Sequence, residues 1–138
     1  MKRINKIIKQ LIISFGLFIP IIATSQPENF EEFIDNFCID SSFQICRIKF
    51  PLLYVSWDYE TDKEIDLYIQ KENYKYDKLY YYSDAYAVFY DNFDCKVRDS
   101  DEMVFRWKGF TDMDRRYYFK RIENKWYLIK ILDYDPIE

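Results

Sequence analysis

Tyr117-Tyr118-Phe119-Lys120-Arg121-Ile122-Glu123-Asn124-Lys125-Trp126-Tyr127-Leu128 reads as two strands joined by a turn. Tyr117 and Phe119 alternate with Tyr118 and Lys120, so they share one face of a strand over Arg115 to Ile122. Glu123-Asn124-Lys125 has the polar make-up of a turn. Trp126 to Leu132 is aromatic and branched enough for the next strand. Such an antiparallel hairpin, apolar on one face, has to be covered by another layer of structure. The sequence before it must supply that layer, and this requirement decides the fold class.

Upstream, the period of two recurs. Met103, Phe105 and Trp107 alternate with Val104, Arg106 and Lys108 in a strand from Met103 to Phe110. Ala85 to Tyr90 and Asp66 to Lys71 are further strands. Arg47 to Trp57 is also extended, with Pro51 suited to a sheet edge or a strand start. Asp58 to Glu64 is a charged turn. Residues 72–84 are open between strand and exposed loop, because Tyr74, Tyr76, Tyr80, Tyr81 and Tyr82 lie among lysines and aspartates.

The covering layer comes first in the chain. Phe30, Phe33, Ile34, Phe37 and Cys38 recur at helical spacing on one face, with Glu31, Glu32, Asp35 and Asn36 on the other. Asn29 is a suitable N-cap, with Glu32 in capping-box position. Asp40-Ser41-Ser42 ends this helix and opens a second, short one through Cys46. The expectation is an α+β fold, with the N-terminal helix or helices packed on a curved antiparallel sheet that forms a cone. Residues 26–138 show no repeat, low-complexity tract or linker, and their length suits one domain.

This order, closing on Lys125-Trp126-Tyr127-Leu128, resembles the nuclear-transport-factor-two-like, or cystatin-like, superfamily. More narrowly, Phe43-Gln44-Ile45-Cys46-Arg47-Ile48-Lys49-Phe50-Pro51-Leu52 is similar to a segment of an uncharacterised group of exported bacterial domains in that superfamily. The resemblance covers most of 29–135. It implies a curved sheet wrapped around the first helix, leaving a conical cavity. It implies no single function, since this fold hosts isomerases, dehydratases, dimerisation modules and inert binders.

The N-terminus sets the compartment. Lys2, Arg3, Lys6 and Lys9 precede an apolar run from Leu11 to Ala23, and Ala23-Thr24-Ser25 supplies small residues before Gln26. That is the layout of a secretory signal peptide over 1–25. The apolar run spans roughly 20 Å as a helix, short of the ~30 Å hydrocarbon core. No cysteine follows it to accept a lipid. The expected product is exported, periplasmic or secreted, with no stable membrane anchor. Cleavage removes four of the 20 basic residues and none of the 24 acidic ones, leaving 16 against 24 and a net charge of −8. This balance argues against nucleic acid, whose phosphates need clustered Lys and Arg.

Several chemistries are excluded or unsupported. The chain has no histidine, so His-based catalysis and the usual zinc sites are absent. Its two glycines rule out Gly-rich phosphate loops. Asp91-Asn92-Phe93-Asp94 and Asp99-Ser100-Asp101-Glu102 are oxygen-rich but lack the glycine and distal glutamate of an EF-hand loop, and read as solvated turns. No cofactor is implied. Cys38, Cys46 and Cys95 form an odd set that leaves at least one thiol unpaired; Cys38, on the apolar stripe, reads as a small buried hydrophobe.

The aromatics remain. Trp57, Trp107, Tyr117, Phe119 and Trp126 either line a cavity for an apolar or sugar-like ligand or fill the core. Nine tyrosines lie between Tyr54 and Tyr86, enough to place some on a binding surface. The leading expectation is non-enzymatic binding of a small ligand, glycan or protein. Its alternatives are a small isomerase or hydrolase using a buried carboxylate in the cone, and a homodimeric interaction module.

Overall fold

The computed structural model describes residues 26–79, 86–91, 100–108 and 115–134. Helix α1 (Phe30–Ile39) starts where Asn29 Oδ1 accepts the backbone N–H groups of Glu31 and Glu32, at 2.8 and 3.1 Å. Asp40 ends α1 and caps α2 (Ser41–Cys46) through the N–H groups of Ser42 and Phe43. Both helix starts fall where the sequence places them.

Six strands follow among the described residues: β1 (Ile48–Asp58), β2 (Lys63–Ile69), β3 (Tyr86–Asp91), β4 (Glu102–Lys108), β5 (Arg115–Ile122) and β6 (Lys125–Asp133). A 3-10 turn (Lys71–Asn73) follows β2. The strands form one sheet in the order β2-β1-β6-β5-β4-β3. Four of its five pairings are antiparallel; β1 and β6 run parallel, so the sheet is mixed where an antiparallel one was expected. The parallel pair arises because the last strand returns to lie beside the first. Pro51 is accommodated inside β1 because pairing with β2 begins only at Leu52, and the register with β6 shifts between Ile48 and Leu53.

The β5–β6 hairpin closes with a two-residue turn between the paired Ile122 and Lys125. Glu123 and Asn124 adopt φ of 49° and 64°, as a type I′ turn requires. A bulge also interrupts this pair. Tyr118 faces Lys130 and Phe119 faces Leu128, so Ile129 is an extra residue.

The concave face holds the core. Phe30, Phe33, Ile34, Phe37 and Cys38 of α1 are buried against it. Phe119 sits at the centre, with edge-on contacts to Phe30, Phe33 and Phe37 at ring-centre distances of 5.7, 5.4 and 5.2 Å. Trp126 meets Phe30 at 5.0 Å. Residues before α1 belong to this fold. The Glu28 carboxylate pairs with both terminal nitrogens of Arg47 at 2.9 Å and accepts the Trp126 N–H at 2.8 Å. The Trp126 indole N–H donates to the Glu28 carbonyl at 2.9 Å. No helix among the described residues is long and apolar enough to cross a membrane.

Candidate functional site

Each central strand changes character along its concave face. On β1 the inward residues run Ile48, Leu52, Tyr54, Ser56; on β5 they run Phe119, Tyr117, Arg115. On β6, Trp126 and Leu128 face the core, and strict alternation would next turn Lys130 and Leu132 inward. The bulge at Ile129 shifts the parity, so Ile131 joins the core and Asp133 follows it inward. The apolar ends lie under α1. The polar ends meet in a cluster beyond it.

Asp133 is the most deeply placed charge there, its side chain 5% exposed. It accepts the Tyr54 hydroxyl proton and pairs with Arg115 Nη2 at 2.5 Å. Arg115 Nη1 lies 3.9 Å from Asp77, whose carboxylate accepts the Tyr117 hydroxyl proton. The chain of contacts thus runs Tyr54, Asp133, Arg115, Asp77, Tyr117. Arg115 and Asp77 are each 25% exposed, so this buried network reaches solvent through them.

A glutamine places Asp77. Gln44 of α2 is fully buried. Its amide donates to the carbonyls of Phe37 and Asp77 at 3.0 and 2.9 Å. Its oxygen accepts the Tyr74 hydroxyl at 2.8 Å and the Asp77 N–H at 3.0 Å. Asp77 is held by both backbone groups, which aims its carboxylate at Tyr117 and Arg115. The segment left open between strand and loop is therefore a pinned loop over 74–79. Tyr74 and Tyr76 are half-buried, and the Tyr76 hydroxyl donates to the Cys38 carbonyl at 2.8 Å. Tyr80, Tyr81 and Tyr82 lie outside the described residues.

Burial first, and the neighbouring Asp77 charge second, raise the Tyr117 phenol well above its ordinary pKa; Tyr74 is raised for the same two reasons. Burial pulls the Arg115 guanidinium down, but Tyr117 and Asp133 outweigh it and leave the group above its usual range. The phenols and the guanidinium keep their protons and act as hydrogen-bond donors. Among the described residues no group of three or more Asp, Glu or Cys is placed to hold a metal ion.

The aromatic candidates separate. Tyr117, Phe119 and Trp126 are at most 1% exposed and belong to the core, one of the two roles open to them. Of these three, Tyr117 reaches the cluster, through its hydroxyl. Trp57 lies apart, half-buried and edge-on to Tyr134 at 5.8 Å. Trp107 is on β4, its side chain outside the described part. Cys38 is buried and Cys46 is an exposed free thiol, while Cys95 is outside the described residues. No sequence motif marks Tyr54, Asp77, Arg115 or Asp133. Gln44, a lone glutamine on a six-residue helix, is the available signal for the hold on Asp77 but carries no motif.

A crystal structure of an NTF2-like protein from Bacteroides fragilis superposes with a TM-score of 0.61 at 21% identity, over 81% of this chain and 49% of that one. An NMR structure of a protein from Bacteroides uniformis gives 0.54 at 20% identity, over 80% and 78%. The chain thus spans about half the length of the first of these, and both likenesses concern the fold alone. Among curated proteins none matches the sequence. The family described as domain of unknown function (DUF4348) matches residues 20–138, nearly all of the chain, which therefore belongs to it and carries an NTF2-like α+β fold.

Proposed function

We propose that this chain is an exported, non-enzymatic binding domain that holds a small, hydroxyl-rich ligand at the open end of its sheet. The observation carrying this reading is the Tyr54–Asp133–Arg115–Asp77–Tyr117 network, buried at Asp133 and Tyr117, half-buried at Tyr54, and partly open to solvent at Arg115 and Asp77. Alternating carboxylates and N–H donors match the alternating acceptors and donors of a sugar-like molecule. Ile65 and Leu67 of β2 pair with Ser56 and Tyr54 and share the face of Ile69, which packs half-buried against the core. They extend an apolar wall beside the polar cluster, suited to the carbon face of such a ligand. Two carboxylates against one guanidinium disfavour an anion.

Catalysis fits less well. A general acid or base works best with a pKa near the working pH. The phenol of Tyr117 and the guanidinium are moved the other way. Export rests on the basic and apolar layout of 1–25, with the fold's own contacts starting at Glu28, just past the expected cut before Gln26.

The test is a chemical-shift titration of the exported protein with neutral mono- and disaccharides, and with uronic acids as anionic controls. Shifts centred on Tyr54, Asp77 and Arg115 with a neutral sugar, lost in Asp77→Asn, support the reading. Shifts scattered elsewhere, or a preference for the uronic acids, overturn it.

A further inference from the structure

We propose that the free edge of β2 is a docking strand for an extended, basic segment of a partner protein. Among the described residues β2 is the last strand of the sheet and pairs only with β1, over seven consecutive positions without a bulge. Along its outer side, every second residue points its backbone N–H and C=O away from β1. Proteins usually blunt such edges with lysines, prolines, bulges or shortness. β2 has no proline and one basic residue, Lys63. Instead it exposes apolar surface: Ile65 is 40%, Leu67 48% and Tyr68 62% accessible.

A groove of about 510 Å³ lies on the β1–β2 hairpin next to this strand, lined by Trp57, Ile65 and Leu67 together with Ser56, Asp58, Tyr59 and Glu60. Its lining joins an apolar surface to carboxylates. That combination fits the side chain of Lys or Arg, which buries a methylene stem and keeps a charged head near water. In strand addition, main-chain hydrogen bonds give affinity and such pockets for alternate side chains give specificity.

Charge selects the occupant. Residues 58–68 hold Asp58, Glu60, Asp62, Glu64 and Asp66 against Lys63, a net of −4. A second copy of this chain would bring the same charges, and antiparallel pairing about the strand centre would set Asp66 against Asp66. A basic strand from another protein meets no such opposition.

Three capped nonapeptides test the assignment: one alternating lysine with valine, its glutamate counterpart, and the lysine peptide with a central proline. Binding is read by fluorescence anisotropy and by amide hydrogen exchange of the exported protein. The lysine peptide is expected to bind, to slow exchange within 63–69, and to weaken as salt is raised. The glutamate peptide is expected to bind at least about tenfold more weakly. The proline peptide should lose binding, because it cannot complete the ladder. Glu64→Lys combined with Asp66→Lys should invert the preference for charge; the proline control needs no variant, so it decides even where that variant fails to fold. Equal binding of both charges overturns the proposal, as does protection lying outside 63–69. Protection of 63–69 that grows with protein concentration and without peptide also overturns it, by assigning the edge to a second copy.

Discussion

Gln44 shows how one buried side chain fixes the geometry of the candidate site. Its amide makes or receives four hydrogen bonds, and two of them hold the backbone of Asp77. Gln44→Leu keeps the volume and removes these partners, stranding the Asp77 N–H and the Tyr74 hydroxyl. The expected loss is about 2–4 kcal/mol of stability by urea denaturation, since unsatisfied buried groups cost about 1–3 kcal/mol each. The tyrosines make a second residue-level prediction. Tyr74 and Tyr117 have folded-state pKa values raised above the ordinary 10.0, chiefly by burial. The unfolded chain therefore releases these protons first. Stability from them is fully present below pH of about 10 and declines above it, by at most about 1.4 kcal/mol per pH unit for each phenol. Unfolding midpoints between pH of about 8 and 11 should show this decline, with a shallower slope in Tyr117→Phe. A midpoint that rises above pH of about 10 would contradict the placement of both phenols. None of this was legible beforehand, because a glutamine and two tyrosines acquire these roles only through partners 30 to 40 residues away in sequence.

At the scale of elements, the local signals were legible and the non-local ones were not. The stripe of Phe30, Phe33, Ile34, Phe37 and Cys38 identified α1, and Asn29 and Asp40 marked the two helix starts. The strands β3 to β6 fall within a residue or two of their expected bounds, because hydrophobic period and turn chemistry are properties of short windows. The second strand was expected at Asp66 to Lys71 and lies at Lys63–Ile69, since pairing with β1 fixes its register where exposed residues fix none. The bulge at Ile129 escaped detection for a related reason. Alternation read from Trp126 sends Asp133 to the outer face, and the extra residue reverses that. Ile129 is thus the backbone feature that delivers Asp133 to Arg115. The β5–β6 turn permits a direct check. Glu123 occupies a positive-φ position that suits Asn or Gly better. Glu123→Asn with Asn124→Gly should stabilise the fold by about 1 kcal/mol in thermal or denaturant unfolding. A loss of stability would mean the turn is not type I′.

At the scale of the whole molecule, the fold is a mixed sheet closed under two helices, and its polar cluster lies where the strands outrun them. The α+β class and the helix-on-curved-sheet arrangement were readable from element order. The parallel pairing of β1 with β6 was not, because it depends on how the sheet closes over the full length of the chain. The aromatic count left two roles open, cavity wall and core. Phe119 and Trp126 take the second, because a small domain with one amphipathic helix spends such rings on its core. Phe119→Ala should accordingly cost about 3–5 kcal/mol and leave ligand contacts untouched in any molecules that remain folded. The proposed small-ligand site is then the polar cluster of Tyr54, Asp77, Arg115 and Asp133. Native mass spectrometry of the protein purified from an export host, mixed with the neutral sugar panel and run beside its denatured mass, tests that claim most directly. The account predicts a constant sugar-sized increment, lost on denaturation and missing from Asp77→Asn. A native mass equal to the denatured mass, or an increment that survives Asp77→Asn unchanged, would contradict it.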